Sequence, residues 1–526
     1  MTPEAARDAI RIADVLGAFS LASDLAVGLQ AEHGARSCYM GMQIAEELGL
    51  TTEQRIHLYY SELLKDAGCT AYTSQLAAFW LVDELAAKRE LQIFRDPNNP
   101  FDVIPWVLKY VAAGASLPTR ASRSIDFLVH GREFLREGFE STCAVATRIA
   151  QRLGMPVPVQ DALMQVFEQW DGKGMPQGAS GEAIPIVARI ILVTSNLEVF
   201  HRTGGREAAR SVSNERRGKA FDPTIVDAFL AISERDDFWA PLENERVWES
   251  VLSLEPKESP HRQLAEGQLE EVVLAFADYS DLKSPYIAGH SRRVATLAES
   301  MAQRMAFQPE EVTNIRRAAL AHDIGLVAVP SFVLDRPEDR LTEAEREQMR
   351  LHPYHSRQIL SRVPSLSGAA AIAASHHELG DGTGYPAGLA GIQISPQASV
   401  LAVADCFDEL THDGPDRTAL APEAALRLMR AQPARFSGAS VEALTAEQGL
   451  STTGEGRRRT WPQGLTDREV EVLRLVARGN DRRQVAKLLV LSEGTVRSHL
   501  EHIYGKISVS NRAAATLFAV ENGLLS

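Results

Sequence analysis

Two halves of this chain carry nearly the same letters, and that repetition restricts what it can fold into. Glu168-Gln169-Trp170-Asp171-Gly172-Lys173-Gly174-Met175-Pro176 parallels the stretch from Glu378 to Pro386, 210 positions later. The run from Ile184 to Ile190 parallels Ile394 to Val400 at the same offset. Leu63-Leu64-Lys65-Asp66-Ala67-Gly68 parallels Leu320-Ala321-His322-Asp323-Ile324-Gly325 at an offset of 257, which also sets His33 opposite His290. Such an internal repeat predicts two similar bodies in tandem.

Both bodies read as helical. Val294, Leu297, Ala298, Met301 and Met305 mark one face of a helix beginning near His290. Thr342 is placed to cap a second helix from Glu343 to Met349. The Gly- and Pro-rich run from Gly380 to Gly391 is a loop, and no region is rich in strand patterns. Asp237 to Pro260 mixes Pro, Trp and charge and reads as the connector between the halves.

The second half carries a set of polar residues that the first lacks. His290 comes first, then His322-Asp323, His352, His376-His377 and Asp405. Imidazole and carboxylate together suit divalent first-row metals. Seven such groups exceed the need of one ion and match two ions sharing a carboxylate. Asp323, central in the order, is the natural bridge. In the first half the ligands are replaced: Lys65 stands opposite His322, Val166 and Phe167 opposite His376 and His377, and Ser195 opposite Asp405. An ammonium repels a divalent cation, and Val and Phe have no lone pair to give. That half reads as a degenerate copy without metal, either a helical dimerisation or sensory domain or a small-molecule pocket in the emptied site.

The order and spacing of these motifs, with Gly384-Tyr385-Pro386 between them, resemble the HD-GYP family of metal-dependent phosphodiesterases over roughly residues 265 to 440. The resemblance implies His290, His322, Asp323, His352, His376, His377 and Asp405 as ligands of two divalent metals, iron or manganese, with His322 and Asp323 at the catalytic centre. It implies that Gly384, Tyr385 and Pro386 shape the substrate pocket. The chain departs from the family where Lys usually follows the HD motif: here Leu326 stands at a position expected to meet phosphate. Tyr286 replaces the Glu that some members use on a third metal, and Gly414-Pro415-Asp416-Arg417 replaces Arg-Pro-Tyr-Arg. A two-metal site with slow or absent turnover of cyclic di-GMP is the expectation, and Leu326→Lys is expected to raise that turnover.

Charge separates the end of the chain from its body. The whole carries −14, yet from Arg457 onward twelve Lys or Arg outnumber seven Asp or Glu, giving +5 and leaving −19 for the rest. A basic end on an acidic body suggests a DNA-binding appendage. Ser451 to Gly464 has linker composition. Thr466-Asp467-Arg468-Glu469 then opens a helix as a capping box, and further helices are predicted from about Asp481 to Leu489, from Ser492 through Tyr504, and from Asn511 to Glu521. Leu-Thr-x-Arg-Glu from Leu465, Glu-Gly-Thr-Val-Arg-Ser-His-Leu from Glu493, and Val-Ser-Asn-Arg-Ala-Ala-Ala from Val509 resemble the LuxR-type helix-turn-helix domain. The resemblance implies a recognition helix in the major groove. Arg497 and Ser498 would lie where that family reads bases, Thr495, His502 and Lys506 would meet phosphate, and Glu501 would be a further groove-facing position.

The expected architecture is all-α: tandem HD-type helical domains followed by a four-helix LuxR-type domain. Its parts are a degenerate HD-like domain at 1–236, a connector at 237–264, an HD-GYP-like domain at 265–450, a linker at 451–464 and the helix-turn-helix domain at 465–526. The start of the chain is acidic rather than signal-like, no apolar run reaches 18 residues, and Cys38, Cys69, Cys143 and Cys406 form no CxxC pair. These features suggest reduced thiols in a cytoplasmic protein without membrane contact. The function expected is that of a homodimeric regulator of double-stranded DNA whose HD-GYP-like module cleaves a cyclic dinucleotide or related phosphodiester. Two alternatives stand beside it: the module as a low-activity ligand or metal sensor, and a phosphohydrolase whose tail docks on a protein.

Overall fold

The structure is a computed structural model that describes residues 10–81, 83–91, 100–244, 246–264, 267–415, 417–450, 461–489 and 491–525. It is helical nearly throughout. Among the described residues, named strands are limited to one antiparallel pair of two-residue segments, with Ile10 opposite Leu264 and Arg11 opposite Gln263. The chain forms two compact units, Met1–Val272 and Val273–Ser526.

The first unit is built on α1 (Ile12–Val27), α2 (His33–Glu47) and α3 (Thr52–Leu64), followed by the long α4 (Leu117–Arg152) and α5 (Ile186–Arg216). α1 is buried almost all round, because its Leu, Phe, Val and Ala residues leave no polar face. α3 starts in a capping box closed by Thr51 and Gln54. The expected connector at 237–264 behaves differently from its composition. Phe238, Trp239, Val247 and Val251 are buried, and a helix over Val247–Leu254 packs on α2. Pro, Trp and charge break regular periodicity, but the Trp and Val residues still pack into the first unit.

In the second unit α6 (His290–Arg304) and α7 (Pro309–Ala321) pack side by side, with α8 (His352–Leu360), α9 (Ser367–Ala373) and α10 (Pro396–Thr411) around them. Val294, Ala298 and Met301 supply the buried face of α6, as the periodicity predicts. The helix at Glu343–Arg350 is capped by Thr342, whose side chain accepts from Glu345 N. The C-terminal end is a bundle of α11 (Asp467–Ala477), α12 (Arg482–Leu489), α13 (Glu493–Ile507) and α14 (Arg512–Glu521). Thr466, Ser492 and Asn511 cap α11, α13 and α14. The linker residues 451–460, Asp416 and the first nine residues lie outside the described residues.

The two units repeat each other in detail. A Cβ on Gly325 would lie 2.0 Å from His352 O, and one on Gly68 would lie 1.9 Å from Thr142 O. A Cβ on Gly384 would meet Leu379 N at 2.4 Å, and one on Gly174 would meet Gln169 N at 2.2 Å. Glu378 accepts from the backbone of Ala387 and Leu389, as Glu168 does from Gln177 and Gly178. Backbone packs directly on the glycine after the HD pair, so no side chain fits. Gly325→Ala is therefore expected to cost about 3 kcal/mol or more in a denaturant melt, while Gly438→Ala, whose Cβ meets nothing within 4 Å, should stay within about 0.5 kcal/mol of the unmutated protein.

Candidate metal centre and DNA-facing helix

Four helix ends and the middle of a fifth helix bring the histidines and aspartates of the second unit together. His290 opens α6, His322 and Asp323 follow the last turn of α7, His352 opens α8, and His376-His377 lie just beyond α9. Asp405 faces inward from the middle of α10 and is buried. Helix ends suit this work because they place side chains past the helical backbone while their main-chain groups fix the rings.

Three of the rings are held alike. His322 Nδ1 donates to Ala319 O (2.8 Å), His352 Nδ1 to Met349 O (2.7 Å) and His376 Nδ1 to Ala373 O (2.6 Å). A carbonyl only accepts, so each Nδ1 carries the hydrogen and each Nε2 presents a lone pair inward. His290 is held by a side chain instead. Its Nδ1 donates to Asp408 Oδ2 at 2.7 Å, and Arg293 fixes both oxygens of Asp408 at 2.8 and 2.9 Å.

The inward atoms form two groups on either side of one carboxylate. Asp323 Oδ2 lies 3.4 Å from His322 Nε2 and 3.7 Å from His290 Nε2, and Asp405 Oδ1 lies 3.1 Å from His290 Nε2. Asp323 Oδ1 lies 3.3 Å from His352 Nε2 and 3.5 Å from His376 Nε2. His290, His322 and Asp405 can share one ion, and His352, His376 and His377 another. Asp323 offers one oxygen to each side.

The residues fit divalent metals by their own chemistry. His322 Nε2 is fully buried and makes no hydrogen bond. The Nε2 atoms of His352 and His376 face each other at 3.1 Å, an arrangement of two lone pairs that calls for something positive nearby. Burial opposes ionisation of Asp323, yet His322, His352 and His376 outweigh it and hold the carboxyl well below the usual range. Burial likewise opposes ionisation of Asp405, and the imidazoles of His290 and His322, 3.1 and 3.4 Å from its Oδ1, hold it well below that range. Burial, with His376 and His352 beside it, keeps His377 well below the ordinary imidazole value. The centre thus keeps its carboxylates charged and His377 neutral, while the same carboxylates raise His290 and His322, so a metal there competes with protons for those two rings.

Around this cluster the remaining expected residues fall in different places. Tyr385 stacks beside His377, with ring centroids 4.7 Å apart, so the Gly384-Tyr385-Pro386 loop walls the cluster. Leu326 does not. It is buried in an apolar cluster with Val329, Val333 and Leu341, against which Ile287 packs. This corrects the expectation for Leu326→Lys, because an ammonium there would be desolvated among aliphatic side chains. Asp408, Arg293 and Glu378 carry roles that sequence reasoning left unassigned. Asp408 lies three residues after Asp405 on the same helix, and Arg293 three after His290, so helical spacing was their available signal.

In the C-terminal bundle, Val496, Ile503 and Ile507 of α13 point into the core. Thr495, Arg497, Ser498, Glu501 and His502 lie on its exposed side, with Arg497 Nε 2.9 Å from Glu501 Oε1. Lys506 departs from the expected phosphate contact. Its ammonium is paired with Glu469 at 2.6 Å and donates to Gly464 O, so it braces the start of α11. The bundle also rests on the turn that delivers His290. Ala288 belongs to the same apolar cluster as Val476, Leu524 and Leu525. A Cβ on Gly479 would lie 3.3 Å from Pro285 Cβ, and one on Gly289 would lie 3.7 Å from Leu525 Cβ. Arg293 ties this turn to the centre, since it donates to Ala288 O while gripping Asp408.

The model of the HD domain family matches residues 117–225 and 275–439. That of bacterial regulatory proteins of the luxR family matches residues 463–519. The chain is 32% identical to 3'3'-cGAMP-specific phosphodiesterase 3 of Vibrio cholerae over 81% of its own length and 91% of that protein. It is 34% identical to the cyclic di-GMP phosphodiesterase response regulator RpfG of Xanthomonas campestris over 38% of its length, spanning about half (54%) of that relative. The crystal structure of a cyclic GMP-AMP specific phosphodiesterase of V. cholerae (V-cGAP3) aligns with a TM-score of 0.59 at 28% identity, covering 84% of this chain and 98% of the other.

Two outcomes follow for the centre. Asp323→Ala should remove most bound metal, since its two oxygens face both groups, and metal analysis of the purified variant showing undiminished content would count against the bridging role. Leu326→Lys should lower the melting temperature and leave turnover no higher, as a melt and a nucleotide assay on the same sample would report.

Proposed function

Because the chain belongs to the HD-GYP family of metal-dependent phosphodiesterases and carries a LuxR-type domain at its C-terminal end, we propose that it is a DNA-binding regulator whose second unit hydrolyses a cyclic dinucleotide. A 3'3'-cGAMP-like molecule is the first substrate to test, because the V. cholerae relative named for that nucleotide matches the chain over 91% of its own length. The observation that carries the reading is Asp323, with one carboxylate oxygen toward each of two groups of histidines. We assign His290, His322, Asp323, His352, His376, His377 and Asp405 as ligands and iron or manganese as the metals, since imidazole mixed with carboxylate suits both. Bound there, two divalent ions would supply Lewis acidity to the phosphoryl oxygens and an ionised water at neutral pH.

The chain's own groups hold and shape this centre. The backbone carbonyls behind His322, His352 and His376 keep those rings aimed inward, and Asp408 does the same for His290. Tyr385 closes one side, where a nucleobase or ribose would pass close to the reacting phosphate. We keep the five-part division of the chain for function, with the 237–264 stretch counted with the first unit, whose core it enters.

DNA contact is assigned to the exposed side of α13, with Arg497 and Ser498 reading bases and Thr495, Glu501 and His502 at the groove. A homodimer fits this reading because a helix-turn-helix unit reads half-sites about one helical turn apart as a pair. The shared turn at Pro285–Gly289 gives the metal centre a physical route to the DNA domain, since a ligand drawn toward an ion moves a turn that the bundle rests on. No helix among the described residues is long and apolar enough to cross a membrane, and we place the protein in the cytoplasm with its cysteines free.

Manganese-loaded protein incubated with 3'3'-cGAMP and with cyclic di-GMP should release linear dinucleotide from at least one of them. Binding of both without release would favour the sensor, and neither binding nor release would overturn the substrate class. In a gel-shift assay Arg497→Ala should weaken binding to the preferred duplex by about tenfold and to random duplex far less. DNA binding that survives removal of residues 461–526 would contradict the assignment.

A further inference from the structure

The first unit keeps the outer supports of the metal centre, with His33 and Asp66 still opposite His290 and Asp323, although the other ligand positions are replaced. His33 opens α2 as His290 opens α6, and its Nδ1 lies 2.5 Å from Glu198 Oε2, the residue opposite Asp408. Asp24 accepts from Gly34 N as Asp281 accepts from Ser291 N, with all four residues in register at the offset of 257. Arg202 grips Glu198. Four carboxyls lie around the emptied centre, Asp24, Glu62, Asp66 and Glu198, of which Asp24, Glu62 and Glu198 are at most 2% exposed; burial pushes Asp24 well up and Glu62 to about 7, and Lys65 draws both back toward ionisation. A group of buried carboxylates needs a compensating charge.

We propose that the Lys65 ammonium is that charge, a cation tethered to the chain and standing where the second unit gathers groups for divalent ions. Lys65 follows the last turn of α3, as His322 follows the last turn of α7. Its side chain is 4% exposed, and Nζ lies 3.5 Å from Asp66 Oδ2 and 3.9 Å from Glu62 Oε2. Nζ makes no hydrogen bond, so the ammonium sits among the carboxylates as an ion does, held by charge from several sides. Glu62 has no counterpart in the second unit, where Ala319 stands at the same register. It supplies an added carboxyl facing the ammonium, and Thr194 donates to its other oxygen at 2.6 Å; both the ammonium and this hydrogen bond work against the burial that raises it. Burial pulls the Lys65 amine down, and Asp66, Glu62, Asp24 and Glu198 more than reverse this, keeping it charged. The exchange of His for Lys and the gain of Glu are thus two halves of one change. Through it the first unit stays folded without a metal supply, whatever the state of the centre in the second.

The test uses the full chain and asks whether the charge of Lys65 or its bulk supports the unit. Lys65→Met keeps the length of the side chain and removes the charge. It should lower the melting temperature and raise amide exchange in peptides covering Thr52–Leu64 and Ile186–Arg216. Adding Glu62→Gln and Asp66→Asn to that variant should recover much of both losses, because the anions that needed Lys65 are then neutral. Metal content of the second unit should be unchanged in both proteins, which separates this proposal from the assignment of the metal centre. A Lys65→Met protein as stable as the unmutated chain, or more so, overturns the proposal. So does a triple variant that is no better than Lys65→Met, including the case where neither folds, because bulk rather than charge would then be what the site requires.

Discussion

A buried carboxylate where four helix ends meet the middle of α10 determines how the second unit is built. Asp323 is 6% exposed and has imidazole nitrogens within 3.7 Å on both sides. An isolated carboxylate taken out of water costs several kcal/mol, so the imidazoles that α6, α7, α8 and α9 bring here offset it, together with the second carboxylate, Asp405, that α10 adds. The helices end there because their side chains are needed there. The carbonyls of their last turns, which would otherwise lack partners, orient the rings.

The same constraint explains the difference between the two units. One helical frame, with the same glycines under the same backbone contacts and the same glutamate anchoring the loop, has two ways to balance a cluster of buried acids. The second unit surrounds its acids with imidazoles arranged for exchangeable ions. The first places a lysine of its own among them. The frame tolerates this because Asp408 and Glu198 each hold their histidine from behind, so the outer shell survives a change of what lies inside it. In the second unit that outer shell also reaches outward, through Arg293 and Ala288, to the bundle that carries the DNA-facing helix.

Much of this was legible in the letters. The helix starts at His290, Thr342, Thr466, Ser492 and Asn511 follow local capping and periodicity, which a single sequence displays. The seven His and Asp positions that the fold gathers were readable because histidines and aspartates are few and their order is distinctive. What could not be read depends on long-range packing. Lys506 pairs with Glu469, 37 residues away, and Leu326 enters an apolar cluster completed by residues before and after it. Asp237 to Pro260 has the composition of a connector, yet Trp239 and Val247 fill the first unit's core. The seat of the bundle on Pro285–Gly289 joins residues some two hundred positions apart through ordinary Ala, Gly and Leu contacts, which leave no local pattern.

Anomalous diffraction at the manganese edge from manganese-loaded crystals tests the central claim most directly. Two peaks are expected in the second unit, about 3.5–4 Å apart, one on each side of the Asp323 carboxylate, and none beside Lys65. A single peak away from Asp323, or a peak among the acids of the first unit, would contradict it.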